Sequence, residues 1–259
     1  MSRADSTCEL PPPTEWMATG LFEASAHPLG AFNLEDFVRM LRIDRAEHLH
    51  RTVAEAEAIH ETSFFRDPQL FDVLRETVLP RLIGANAERK TLRIWCAATS
   101  TGQEAYSVAM LLRDHFAELA DWDLKIVGTD LSRLAVNHAQ RGRYRQIDVS
   151  RGLSASKLAK HFAPNGEEWG IRPELRSMCQ FRCVNLCRPL PKLPAFDLLL
   201  MRNVLLYLSA EERSEVFRSV HGQMAPDGYL VLGASDQAED STDLFRAESS
   251  QEYYFYRPA

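Results

Sequence analysis

Two periodicities divide the chain. From Asn33, which reads as a helix N-cap, Leu34, Phe37, Val38, Leu41 and Ile43 recur at near-helical spacing, and the helical pattern resumes from Val53 to Ile59. After Pro68 a further helix is predicted over Leu70 to Ile83, with Phe71, Leu74, Val78 and Leu82 inward. From Leu92 the texture changes to alternation of strand and helix. Strands are predicted at Leu92 to Ala97, Leu124 to Thr129, Phe181 to Val184, Phe196 to Met201, Tyr229 to Ala234 and Glu252 to Tyr256. Helices are predicted between them at Gly102 to Glu118, Ser132 to Arg141 and Ala210 to Gln223. Short, continuously apolar strands joined by amphipathic helices predict an α/β fold, a doubly wound, mostly parallel sheet covered on both faces.

Gly142 to Arg182 departs from that alternation. It holds a short helix, Ser154 to His161, followed by turn-rich, strand-like pieces, and is expected to form an inserted β subdomain over residues 142–182. Pro11, Pro12, Pro13, Pro28, Gly20 and Gly30 make residues 1 to about 33 an irregular segment. The expected division is a short helical N-terminal region over 1–60 and one α/β domain over 61–259. A chain of 259 residues has room for one such domain with a small attachment.

Composition narrows the function classes. Hydrophobic residues at 45% and charged residues at 25% are ordinary for a globular protein. The formal charge of -6 argues against a general nucleic-acid binder, which needs a basic face to neutralise phosphates. No run reaches the roughly 18 apolar residues of a membrane span, and MSRADSTCELPPPTEW has no signal-peptide core, so the expected location is the cytoplasm, without membrane insertion. Cys179, Cys183 and Cys187 lack a nearby fourth metal ligand and are read as reduced packing thiols; no metal is expected. Arg39, Arg42, Arg45 and Arg51 fall near one helix face, a basic stripe that serves either as a solvated surface or as a docking face for an acidic partner.

The candidate chemistry lies in IWCAATSTGQEAYSVAM, Ile94 to Met110, where a strand enters a small-residue turn and leaves as a helix. In doubly wound sheets the first such turn contacts the ligand. Gly102 is its one glycine and it contains no lysine, so neither the phosphate loop nor the dinucleotide fingerprint is present. Ala98, Thr99, Ser100 and Thr101 therefore line a ligand without a phosphate chain. The second strand ends in GTDLS, which puts Asp130 at its carboxyl tip, where it serves either the hydroxyls of a ribose or the cap of the next helix. Together with the small-residue turn, the ribose is favoured, and a ribose without phosphates suggests an adenosyl group.

HETSFFRDPQLF, STGQEAYSVAM, TDLS with AQRGRYR, VNL, FDLLLMRNVLLYLS and MAPDGYLVLGASD occur in that order from about His60 to Ser235, and together they resemble the CheR-type chemotaxis receptor methyltransferases. The resemblance implies a Rossmann-like class I methyltransferase using S-adenosyl-L-methionine to esterify glutamates on the cytoplasmic helices of chemoreceptors. It also implies cofactor contacts from His60, Thr62, Arg66, Gln103, Asp130, Asn185, Leu186, Arg202 and Asn203. Tyr207, four residues after Asn203, serves either the methyl-acceptor pocket with its hydroxyl or packing. Arg66 suits the cofactor carboxylate and Asn185 an adenine edge; a structural ion pair and a turn are the alternatives for them.

His60 stands where that family has Asn, and Gln103 where it has the first Glu of Gly-Glu-Glu, which removes a negative charge facing the cofactor's ammonium group. The basic stripe matches the receptor-facing helix of the family. The short APNGEEWGI segment of the insert resembles members that do not require the receptor's tail peptide. The expected protein is a monomeric enzyme. Its alternatives are a catalytically weak or inactive cofactor-binding scaffold of a chemosensory complex and a small-molecule methyltransferase. A glutamate carboxylate is already ionised at neutral pH, so transfer needs alignment and exclusion of water rather than a Ser-His-Asp constellation.

Overall fold

Strand β1 (Thr91–Ala97) shows why the apolar runs are continuous: Ile94 and Cys96 enter one core while Trp95 and Ala97 enter the other. A strand with both faces buried alternates between two cores and not between core and water. In the computed structural model, residues 62–233, 236, 243–250 and 253–259 are described. The chain divides into two units, Met1–His60 and Glu61–Ala259. The expected N-terminal helices, with Arg39, Arg42, Arg45, Arg51 and His60, lie outside the described residues.

The main sheet orders its strands β6-β2-β1-β7-β8-β10-β9. Strands β1, β2 (Asp123–Asp130), β6 (Cys179–Cys183), β7 (Phe196–Met201) and β8 (Met224–Leu232) run parallel, so their carboxyl ends form one edge. Strands β9 (Phe245–Ser250) and β10 (Tyr253–Pro258) close the far side antiparallel. Strand β9 is absent from the sequence reading because it buries only Phe245 at a sheet edge, and FRAESS has no apolar alternation to betray it.

Helical pieces α1 (Pro68–Val73) and α2 (Leu79–Ala85) are joined by a π-helical turn, Leu74–Val78. Pro80, two residues past the end of that turn, has no amide to donate, so widening the ladder ahead of it accommodates the missing bond. Helix α3 (Gln103–His115) ends three residues before the expected Glu118, where Phe116 leaves helical geometry and a 3-10 turn, Ala117–Asp121, follows. Helix α4 (Arg133–Arg141) starts at Ser132, whose hydroxyl accepts from the Ala135 amide. It stops at Gly142, which takes a φ of 60°.

The insert carries a three-stranded antiparallel sheet, β3 (Arg143–Arg145), β5 (Glu168–Ile171) and β4 (Phe162–Asn165), in the order β3-β5-β4. Helices α5 (Gln146–Ser150), α6 (Ala155–His161) and α7 (Pro173–Arg176) complete it. Its expected end at residue 182 is corrected: β6 pairs with β2 from Cys179 onward and belongs to the main sheet. Cys179 and Phe181 alternate into the large core, which assigns that segment to the parallel sheet. Helix α8 (Ala210–His221) opens with a reciprocal Ser209–Glu212 capping box and lays Val216, Phe217 and Val220 against Trp95 and Phe196.

Candidate functional site

The turn from β1 to α3 folds as it does because its residues are small. Ala98 and Ser100 take φ of 54° and 51°, and Gly102 takes 95°. A Cβ on Gly102 would lie 2.7 Å from the Ala139 Cβ, so this position requires glycine for space as well as for conformation. The turn is held from three sides. The Thr99 amide donates to the Thr129 carbonyl at 2.9 Å, the Ser100 amide to the Asp130 carboxylate at 2.7 Å, and the Tyr144 hydroxyl to the Thr101 carbonyl at 2.8 Å. Left-handed non-glycine residues recur in two neighbouring loops, at Phe65 and Asp67 and at Asn203. Such strain persists where surrounding contacts over-determine the backbone, and it concentrates at functional sites.

Asp130 is buried at the tip of β2, and its two oxygens accept the amides of Ser100 and Ser132, the latter at 2.9 Å. A carboxylate offers about four lone-pair positions, so two remain for ligand hydroxyls. Gln103 opens α3 with its side chain buried, and its Oε1 accepts from the Thr101 hydroxyl at 2.8 Å. Asn185 follows β6 at the same edge and accepts the Cys187 amide at 2.9 Å through Oδ1, an Asx turn that leaves the side-chain amide nitrogen for other use. Leu186 is half-buried against the second core. Thr62, half-buried, stands at the start of the described chain.

Arg202, at the carboxyl end of β7, is engaged by the protein. One arm of its guanidinium donates to Glu104 Oε2 at 2.8 Å; the other donates to the Arg66 carbonyl at 3.0 Å and to the Asp67 carboxylate. The fork thus clamps the strained Phe65–Asp67 turn to the first turn of α3. The Phe65 amide adds a bond to the Ser107 hydroxyl at 2.9 Å. Burial pushes the Glu104 carboxyl above its ordinary pKa, against the pull of Arg202. Burial alone would lower the pKa of Arg202, but Glu104 and Asp67 more than offset it and the guanidinium stays charged. Cys96, fully buried beside Glu104, is held as a thiol by desolvation. Arg66 has its backbone fixed by this clamp and its side chain half-buried.

Asn203 follows at φ 56°, and its amide, with that of Gly233, donates to Asp236 Oδ2. A Cβ on Gly233 would lie 2.7 Å from that oxygen and 3.0 Å from the Asn203 nitrogen, so the chain after β8 packs directly on the turn after β7. Burial raises the Asp236 pKa, while the amides of Asn203, Gly233 and Leu205 hold it down in part. Tyr207 ends a short 3-10 turn, Leu205–Tyr207, and is half exposed at 50%, next to Leu206 at 53%. The turns carrying Arg66, Gln103, Asp130, Asn185, Arg202 and Asn203 therefore gather at one sheet edge.

Glu104, Asp67, Asp236 and Tyr144 were not singled out as site residues from the sequence. Glu104 and Asp236 sit inside the motifs quoted above, one residue past Gln103 and at the end of LGASD, but only the fold reveals which arginine and which amides they face.

Among the described residues, four buried polar atoms at this edge have no hydrogen-bond partner: Thr99 Oγ1, Ser100 Oγ, Arg202 Nε and Asp236 Oδ1. Buried polar groups are normally satisfied, so orphans grouped around one edge mark a place where a polar ligand supplies the bonds. Hydroxyls and a guanidinium N–H for an anionic end, together with a carboxylate with spare lone pairs at the next strand tip, fit an adenosyl amino acid.

The model of the CheR methyltransferase, SAM binding domain, matches residues 60–254. A chemotaxis protein methyltransferase of Pseudomonas aeruginosa is 37% identical over 233 residues, covering 88% of this chain and 84% of that protein. One of Pseudomonas putida is 35% identical, covering 84% of this chain and 80% of its own. Among solved structures, a TehB-like SAM-dependent methyltransferase from Corynebacterium glutamicum aligns with a TM-score of 0.40 at 15% identity, covering 73% of this chain and 93% of that one.

Proposed function

The chain belongs to the CheR methyltransferase family and is an S-adenosylmethionine-dependent methyltransferase of chemotaxis; from that premise we propose that it methylates glutamate side chains of chemoreceptors in the cytoplasm, as a monomer. The observation that carries the reading is the set of orphaned polar atoms, Thr99 Oγ1, Ser100 Oγ and Arg202 Nε, facing the same edge as the Asp130 carboxylate. When bound, S-adenosylmethionine supplies a methyl group activated by a sulfonium. Asp130 takes the ribose hydroxyls, Asn185 and Leu186 flank the adenine, and Thr62, Arg66, Gln103 and His60 serve the amino-acid end. Arg202 acts on the cofactor through its remaining Nε and through the turn it clamps. Asn203 orients the acceptor side, and Tyr207, exposed beside it, meets the incoming carboxylate. No residue has to remove a proton, because the acceptor is already an anion. The proposed partner is a receptor helix pair meeting the basic stripe of Arg39, Arg42, Arg45 and Arg51 in an N-terminal region over 1–60, with no tail peptide required.

Incubation with tritiated S-adenosylmethionine and receptor membranes tests this directly. The expected result is label on the receptor that is released as methanol by mild base, the signature of a glutamyl ester. Cofactor binding without such label would favour a scaffold, and label on small solutes would favour a small-molecule substrate.

A further inference from the structure

Away from the cofactor edge, a cleft lies between α4 and the inserted subdomain, with a volume of about 730 Å³. Arg141, Arg143 and Arg176 line it, and among the described residues none of the three has an ion-pair partner, on a chain whose formal charge is -6. Their convergence has a structural origin. Gly142 reverses the chain at φ 60° between Arg141 and Arg143, and the stem of Arg176 passes 3.4 Å from where a Cβ on Gly142 would be. Three exposed arginines from three elements thus line one cleft beside Gly142. Glu168 is the single acidic residue on the wall. His138, on the same wall, keeps Nε2 buried with no partner among the described residues, while its ring packs 5.3 Å from that of Tyr144.

We propose that this cleft binds a phosphorylated small molecule, its phosphate held by Arg141, Arg143 and Arg176. Three guanidinium forks on one cleft wall suit a group with three anionic oxygens and close to two charges, whereas a carboxylate has two oxygens and one charge. The volume suits a small molecule rather than a polymer, and a patch of this size cannot neutralise a nucleic-acid backbone. His138 Nε2 and the side-chain amide of Asn137 supply further polar contacts on the wall.

Calorimetric titration of the full chain with inorganic pyrophosphate, in saturating S-adenosylhomocysteine to occupy the cofactor edge, reads this binding independently of methyl transfer. Wild-type protein is expected to bind, and Arg141→Ala combined with Arg176→Ala, both at exposed positions, weakens binding at least about ten-fold, as loss of charge-assisted hydrogen bonds requires. Glu168→Gln is expected to tighten it, and Arg113→Ala, an exposed arginine outside the cleft, leaves it unchanged. Failure of the wild type to bind, equal binding by the double variant, or equally tight binding of a peptide whose only charges are carboxylates would each overturn the proposal.

Discussion

Arg202 illustrates what a single residue does at this site. Its side chain is 3% exposed, and it holds the carboxylates of Glu104 and Asp67 and the Arg66 carbonyl at once. Removing one partner of a buried pair leaves an uncompensated charge, so Arg202→Ala is expected to cost about 3–5 kcal/mol in urea denaturation, and Arg202→Met with Glu104→Gln less than the arginine change alone. Strictly additive losses would show that the pair does not act as a unit. Gln103 is the second residue at this edge whose side chain is committed within the protein. A glutamate there can accept the same Thr101 hydroxyl and, in the proposed site, adds a charge toward the cofactor's ammonium end. Gln103→Glu is therefore expected to tighten S-adenosylmethionine binding about five-fold, at about 1 kcal/mol of stability in the free protein. Equal affinities by calorimetry would remove that role from residue 103.

At the scale of elements, the insert is fastened to the main domain by charge. Asp114, near the end of α3, accepts from Lys157 at 3.0 Å, from Lys160 at 2.5 Å and from His161 at 2.9 Å, all on or ending α6. Lys157 also stands 4.7 Å above the Phe65 ring, so the same helix reaches the strained turn of the site. Burial alone would raise the Asp114 pKa; its lysine and histidine partners prevail and hold it far below the ordinary aspartate range. A depressed acid contributes stability that is present above its unfolded pKa and is lost as pH falls below about 4. Asp114→Asn is expected to lower stability at neutral pH by about 1 kcal/mol, in line with a part-exposed ion pair, and to flatten the fall in melting temperature below pH 4. An unchanged acid limb would mean that other carboxylates set it.

Across the whole molecule, the insert and the ligand turn meet through aromatic rings. Tyr144 of β3 packs edge-on against Phe64 at 5.0 Å, and its hydroxyl holds the Thr101 carbonyl at 2.8 Å. Gly152 in the same insert comes so close that a Cβ there would fall 1.8 Å from the Phe64 carbonyl oxygen. The insert therefore buttresses both the strained Phe65–Asp67 turn and the β1–α3 turn proposed to receive the cofactor. Tyr144→Phe keeps the ring packing and removes one bond. Cofactor affinity is expected to fall about five-fold with a stability loss of about 1 kcal/mol. Measured together by calorimetry and thermal denaturation, an equal stability loss with unchanged affinity would confine Tyr144 to packing.

Outside the insert, local pattern is enough for the order of the main-sheet strands and their helices from residue 92 to 232, because period and capping are written in neighbouring residues such as Ser132 and Ser209; the insert's short helices Gln146–Ser150 and Pro173–Arg176 carry no such signal. Local pattern is enough, too, to exclude a phosphate chain at the first turn, since the small residues and single glycine are contiguous there. Strand β9, the true end of the insert and the partners of Arg202 were not legible in the same way. Each depends on contacts between residues far apart in the chain, 98 positions in the case of Arg202 and Glu104, and no local signal encodes them. The cleft around Gly142 belongs to the same class: Arg141 and Arg143 are neighbours in sequence, but Arg176 joins them only because the insert folds back upon the end of α4.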